Sequence, residues 1–292
     1  MRNLTVVIPV RQMAGKLDQL ETSISEALRE EVKVILVHDK ADELTGEELQ
    51  QIIGRQKSPN LELITGSFNS PGIARNAGMQ HVKTKWVIFW DADDIPIVEN
   101  VLNLYEMVVK NDSEIGVGGF QEIDFLNSQS PSIATKTKQE LNSIATSPGI
   151  WRMIFQSKLI LENPFTDLLL AEDQILLYDI RFATRKIVFC NFAVYKYVKG
   201  NPDSLTGRNR KVEDLERSIS RIINGIRYER DVRQLEFNWI MVAKQSFSLL
   251  KFGSLRQKFI GIRTLMQFLL QSPKVARQYV LLRYFRQRAL HD

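Results

Sequence analysis

The stretch Trp86-Val87-Ile88-Phe89-Trp90-Asp91-Ala92-Asp93-Asp94 decides the reading of this chain. Five large apolar residues in a row predict a buried strand, and three carboxylates within the next four positions fall at its carboxyl end. In open α/β sheets that end is where ligands bind. On an extended segment Asp91 and Asp93 face the same way. Two carboxylates about 5 Å apart repel by roughly 3 kcal/mol at an effective dielectric near 20. A hard divalent cation offsets that repulsion, because magnesium-like ions take one or two carboxylates and complete their shell with phosphate oxygens. Read alone, the cluster also fits a polar turn capping a helix that starts near Ile95-Pro96.

Working outward, strand-like runs at Leu4–Pro9, Val32–Val37 and Leu61–Thr65 alternate with helix-like segments at Gly15–Arg29, Glu47–Gly54 and Pro71–Gln80. Such alternation predicts an α/β fold with a mostly parallel sheet covered by helices on both faces. Ser70-Pro71 reads as a helix start, with serine as cap and proline in the first turn. Asn127–Asn142 is polar and reads as a loop or insertion. Helical signals resume at Ile150–Leu161 and Ala171–Arg181, and a strand follows at Lys186–Phe189. After Asn201-Pro202-Asp203 the pattern is helical to the end. Two regions are therefore expected, 1–208 of α/β type and 209–292 helical. Gly116-Val117-Gly118-Gly119 is no dinucleotide fingerprint, since Gln121 stands where the third glycine belongs; a bulge or a close approach explains such glycines. Trp86 and Trp90 read as core.

At 292 residues and 25% charged side chains the composition is that of a globular protein. Cys190 is the single cysteine, so no internal disulfide forms. Three distant histidines argue against a histidine metal site. Leu4–Val10 is too short for a signal-peptide core, and no apolar run is long enough to span a bilayer, so the expected location is the cytoplasm. The net charge of +5 is unevenly spread: Lys251–Asp292 carries nine basic residues and one acidic. Such asymmetry points to an anionic surface. A last helix starting at Ser272-Pro273 either rests on the inner face of an anionic membrane or packs on its own domain. No nucleic-acid partner is expected.

In order, Asn69-Ser-Pro-Gly-Ile-Ala-Arg-Asn-Ala-Gly78, Trp86-Val-Ile-Phe-Trp-Asp-Ala-Asp-Asp-Ile-Pro96 and Ala171-Glu-Asp-Gln174 resemble the family-2 glycosyltransferases with the GT-A fold, over Leu4 to about Arg208. The resemblance implies an inverting enzyme. It would move a sugar from a nucleotide-diphosphate donor, UDP-linked, to a hydroxyl of a glycan or lipid-linked glycan in cell-surface polysaccharide synthesis. It places Asp91 and Asp93 in an Asp-x-Asp motif, Asp91 near the ribose and Asp93 holding Mn2+ or Mg2+. Asp39 matches the nucleobase-binding aspartate, with Pro9 and Arg11 bordering that pocket. Arg75 matches an arginine approaching the base and diphosphate, and Asp173 the catalytic base, with Glu172 beside it. Trp151 falls at the acceptor-side helix start. Arg208, or Lys199, would meet the diphosphate from a lid, although Ser204–Arg208 fits a plain linker equally well. The sequence departs from the family pattern at Arg11-Gln12 and at Asp39-Lys40-Ala41.

Read without the resemblance, Glu172-Asp173 fits a solvated pair at a helix start, Arg75 a surface ion pair and Asp39 a helix cap. Two other functions compete. One is a haloacid-dehalogenase-type phosphotransferase with Asp91 as nucleophile. The other is a non-catalytic nucleotide-sugar-binding protein.

Overall fold

A computed structural model describes residues 2–124, 134–136, 140–199 and 212–276. Four strands, β1 (Leu4–Val10), β2 (Lys33–Asp39), β3 (Leu61–Gly66) and β4 (Trp86–Phe89), pair in parallel in the order β3-β2-β1-β4. Helices α1 (Asp18–Arg29), α2 (Glu43–Gln56) and α3 (Pro71–Met79) connect them in turn. The order reverses between β1 and β4, so the crevice at their carboxyl ends is the switch point where such sheets bind ligands.

Side chains along these strands alternate between two cores. Val7, Ile35, Val37, Val87 and Phe89 face α3 and the carboxyl-terminal helices, whereas Val6, Ile8, Val34, Leu36, Trp86, Ile88 and Trp90 face α1 and α2. Burial on both faces explains why the strands read as unbroken apolar runs. Pro9 sits in a central strand without penalty, because the β1–β4 ladder ends at Val7 opposite Phe89.

Beyond β4 the sheet becomes mixed. The elements are β5 (Ile95–Pro96), α4 (Val98–Lys110), β6 (Ile115–Asp124), β7 (Ala134–Lys136), α5 (Leu141–Thr146), β8 (Met153–Gln156), α6 (Ser157–Glu162), α7 (Glu172–Asp179) and β9 (Ile187–Lys199). Strand β8 runs antiparallel to both β4 and β6, and β6 pairs in parallel with β9. The register shift between Val117 and Phe120 is the bulge expected from the glycines. Helices α8 (Val212–Ile226), α9 (Val232–Phe252) and α10 (Leu255–Gln271) follow, and residues 273–276 are helical; the remainder of the helix expected from Ser272-Pro273 lies outside the described residues.

Several sequence expectations are corrected. Ile150–Leu161 is a 3-10 turn, a strand and a short helix, because Met153–Phe155 fills the gap between β4 and β6. Ile95-Pro96 is a strand on β9, and α4 begins at Val98 with no side-chain cap, so the aspartates do not cap it. Asp91–Asp93 is a turn rather than extended chain, closed by Asp94 N donating to Asp91 O at 3.3 Å. The strand expected to end at Phe189 continues to Lys199. Strand β7 and helix α5 occupy part of the expected Asn127–Asn142 loop, whose remaining residues up to 139 lie outside the described ones.

Candidate functional site

The segment 69–78 is built for one purpose at each position. Ser70 accepts from Ile73 N at 3.3 Å and Pro71 occupies the first turn, so α3 begins sharply. Asn76 donates to Phe165 O at 2.8 Å and accepts from Phe165 N at 2.9 Å, fixing the 165 loop against the helix. At Gly78 a Cβ would lie 2.5 Å from Val7 Cγ1, so only glycine lets α3 approach β1 this closely. The result is that Arg75 points at the switch point with its side chain 4% exposed.

There Arg75 gathers three carboxylates. Its Nη2 donates to Asp91 Oδ1 at 2.8 Å, and its Nη1 lies 3.1 Å from Glu172 Oε1 and 3.8 Å from Asp173 Oδ1. The guanidinium also stands over the Phe165 ring at 5.5 Å. Burial works against the arginine's charge, but Asp91, Asp173 and Glu172 outweigh it and hold its pKa above the ordinary value. This is no surface ion pair, and Glu172-Asp173 is no solvated pair.

Glu172 and Asp173 open α7, where the helix dipole favours negative charge. Ala171 before them holds φ at +73°, a conformation that costs about 1–3 kcal/mol in a non-glycine residue and is found where a site is held under constraint. Burial, then Glu172 beside it, pushes the Asp173 carboxyl well above the usual carboxylate range, with Arg75 opposing. Burial likewise raises Glu172, again against Arg75. Asp173 Oδ2 accepts weakly from Ile150 N at 3.5 Å, while its buried Oδ1 accepts no hydrogen bond among the described residues. A buried carboxylate with a raised pKa and one oxygen that accepts no hydrogen bond is suited to taking up a proton.

The strand-tip aspartates divide their work. Asp91 pairs with Arg75, and its own backbone N–H donates to Tyr195 Oη at 2.9 Å. Asp94 is buried and accepts from Val198 N at 2.8 Å; burial first, then Asp91 and Asp93, raise its pKa. Asp93 is half-buried. The described residues contain no group of three or more histidine, cysteine or acidic side chains able to hold a metal ion. The donor set is hard oxygen from one or two aspartates, which suits an ion that completes its shell with phosphate oxygens.

Asp39 lies at the end of β2 and accepts from Phe68 N at 3.0 Å and Asn69 N at 3.1 Å, with Arg11 Nη1 at 3.4 Å. It therefore folds the 66–70 loop; the cap of α2 is Asp42. Arg11 and Asp39 pair at the carboxyl ends of β1 and β2, and Pro9 lies in β1 opposite Val37. Trp151 is 8% exposed, stacked on Tyr195 at 4.5 Å and Tyr197 at 5.6 Å, so it lies behind Tyr195. Lys199 donates to Glu122 at 2.7 Å. Arg208 lies outside the described residues. Tyr195 escaped the sequence reading, since nothing in Val194-Tyr195-Lys196 marks a partner for a backbone N–H so far away in the chain.

The carboxyl-terminal helices share the core beneath this site: Leu215, Ile219, Ile222, Phe237 and Phe268 belong to the cluster containing Ile175 and Leu176 of α7. Asp214 accepts from Leu169 N at 2.9 Å, and Gln245 donates both to Ser218 Oγ at 2.9 Å and to the Gln174 side chain.

Comparison with known proteins agrees with this architecture. The poly(ribitol-phosphate) beta-glucosyltransferase of Bacillus spizizenii is 23% identical over 298 residues, covering 95% of this chain and 46% of its own length. The chain thus spans about half of that relative. Residues 1–349 of S. aureus TarS, solved in complex with UDP-GlcNAc, superpose with a TM-score of 0.67 at 17% identity, covering 94% of this chain and 83% of that one. The mannosyltransferase PcManGT of Pyrobaculum calidifontis, solved with GDP-Man and Mn2+, gives 0.57 at 13% identity, with 97% and 84% covered. At these identities the two structures show the GT-A fold alone. The model of one family, Glycosyl transferase family 2, matches residues 5–165, more than half of the sequence, and the chain therefore belongs to glycosyl transferase family 2.

Proposed function

We propose that this chain transfers a sugar, with inversion, from a UDP-linked donor to a hydroxyl of a glycan or lipid-linked glycan in the synthesis of a cell-surface polysaccharide. The observation that carries this reading is Arg75 holding Asp91, Glu172 and Asp173 in one buried cluster at the switch point. The names of the similar proteins supply the substrate class.

In this reading Asp173 accepts the proton of the acceptor hydroxyl as its oxygen attacks the anomeric carbon. The bond from that carbon to the diphosphate oxygen breaks on the opposite face, and the nucleoside diphosphate departs. Attack opposite the leaving group inverts the anomeric centre. Arg75 fixes Asp173 relative to Asp91, so the base and the donor-binding strand tip share one reference point. Asp39, Arg11 and Pro9 border the nucleobase, Asp91 the ribose, and Glu172 keeps Arg75 in place. Trp151 acts through Tyr195, and the role assigned to Arg208, outside the described residues, is binding of the diphosphate. Asp93 would hold Mn2+ or Mg2+ together with donor phosphate oxygens. Such an ion supplies Lewis-acid neutralisation of charge on the leaving diphosphate. Residues 1–208 form the catalytic region and 209–292 a helical region whose α8, α9 and α10 brace it, with the inner face of an anionic membrane as the partner of the basic carboxyl-terminal segment.

The test is release of UDP from a panel of UDP-sugars with Mn2+ or Mg2+ and polyol-phosphate or glycan acceptors, with the product anomer read by NMR. UDP release that depends on both acceptor and Asp173, giving the inverted anomer, supports the reading. Absence of donor binding by calorimetry across the panel overturns it, and a retained anomer overturns the single-base mechanism.

A further inference from the structure

Helix α10 is amphipathic the wrong way round. Its buried positions are Gln257, Gly261, Thr264 and Phe268, the last stacked on Trp239 of α9 at 5.5 Å. Its outward stripe is Leu255, Phe259, Ile262, Met266 and Leu269, each between 49% and 87% exposed. These five recur at spacings of three and four and lie within about 80° of arc at 100° per residue, opposite the buried face. A surface helix ordinarily shows the reverse pattern.

Charge selects what covers the stripe. Lys258 flanks it on one side and Arg256 and Arg263 on the other; Arg256 bonds Glu216 of α8 yet stays largely exposed. From Phe237 to His291 the chain has ten basic residues and no acidic one. A second copy laid against this face would bring like charges together, whereas an anionic surface is complementary to them. At 17 residues α10 is not long and apolar enough to cross a bilayer, but an apolar stripe with basic flanks suits a helix lying in the headgroup region.

We infer that α10 docks the chain onto an anionic lipid bilayer, inserting Phe259, Ile262 and Met266 among the acyl chains with Lys258 and Arg263 on the headgroups. The stripe lies on the opposite side of α10 from α9, so docking leaves the packing beneath the site intact. It also needs no sugar transfer, so it stands or falls separately from the proposed reaction.

The experiment is co-sedimentation of the full chain with vesicles of phosphatidylglycerol mixed with phosphatidylcholine, and with phosphatidylcholine alone. Expected is binding to the anionic vesicles that weakens with salt. Phe259→Gln with Met266→Gln should lower it at least tenfold at unchanged melting temperature. Lys258→Gln with Arg263→Gln should lower it by about 25-fold, near fivefold per charge. Wild-type chain that stays in the supernatant with both vesicles overturns the inference. So does undiminished binding of the Phe259/Met266 variant, or loss confined to Arg283→Gln with Arg286→Gln, which would assign the contact to the tail alone. A Phe259/Met266 variant that changes the solution mass of the protein without changing vesicle binding overturns it too, because the stripe would then join two copies.

Discussion

Arg75 Nη2 and Asp91 Oδ1 are 2.8 Å apart, joining the helix that follows β3 to the tip of β4 across the switch point. The pair is asymmetric: the arginine side chain is 4% exposed and the aspartate 29%. Its charge balance also depends on Glu172 and Asp173, so the arginine cannot be removed without stranding buried carboxylates.

Arg75→Met is therefore expected to destabilise the fold by about 3–5 kcal/mol, the range for removing one partner of a buried ion pair. Urea unfolding measures the loss. Arg75→Lys keeps a charge but cannot fork between Asp91 and Glu172, so it should recover only part of the stability. A methionine variant as stable as wild type would mean that the three carboxylates do not rely on this arginine.

Asp173 gives a pH prediction of definite sign. Its carboxyl titrates well above the ordinary range, chiefly because it is buried and next because Glu172 adjoins it. The folded state thus holds this proton more tightly than the unfolded chain. The stability linked to it is fully present below the unfolded pKa, near 3.9, and is lost as pH rises through the raised folded value. Asp173→Asn, which cannot ionise, should match wild type in acid and be the more stable form at neutral pH, as read by melting temperature across pH. As the base, Asp173 must be ionised, so transfer should fall on acidification at a pH above that of an ordinary carboxylate. Donor binding should persist in Asp173→Asn while transfer is lost by about a hundredfold or more.

Much of this was legible in the sequence, for identifiable reasons. Trp86–Trp90 announces a strand buried on both faces, and Ser70-Pro71 announces the start of α3. Both signals are local. Ile150–Leu161 misleads because a short apolar run fits a buried strand as well as a helix, and only the gap between β4 and β6 decides. Arg75 could be picked out from its motif, but its burial under three carboxylates depends on where α7 lands. Tyr195 carries no local signal at all. The inverted polarity of α10 is equally hidden, since the sequence shows an apolar face without saying which way it points.

Asp93→Ala separates donor binding from stability. The side chain is half-buried. Urea unfolding of the variant reads separately what the side chain's own contacts add to the fold. Calorimetry with UDP and Mn2+ should show affinity falling by at least about tenfold, to the value measured without metal. Equal affinity with and without Mn2+ in the wild type would remove Asp93 from the role of metal ligand.

The last prediction concerns the brace beneath α7. A Cβ on Gly225 of α8 would lie 1.5 Å from Tyr178 Oη, and Tyr178 belongs to the same helix as Asp173. Gly225→Ala therefore forces the half-buried tyrosine ring to move away from α8, and α7 moves with it to the extent that the ring cannot swing out alone. Overpacking of this kind costs about 1–3 kcal/mol. The displacement should lower the rate of transfer while donor affinity, set at the tip of β4, stays the same. Tyr178→Phe removes the clashing hydroxyl, so combining it with Gly225→Ala should recover part of both losses. A double-mutant cycle should then show coupling of about 0.5–3 kcal/mol. Additive losses would mean that α8 supports the fold without setting the position of Asp173.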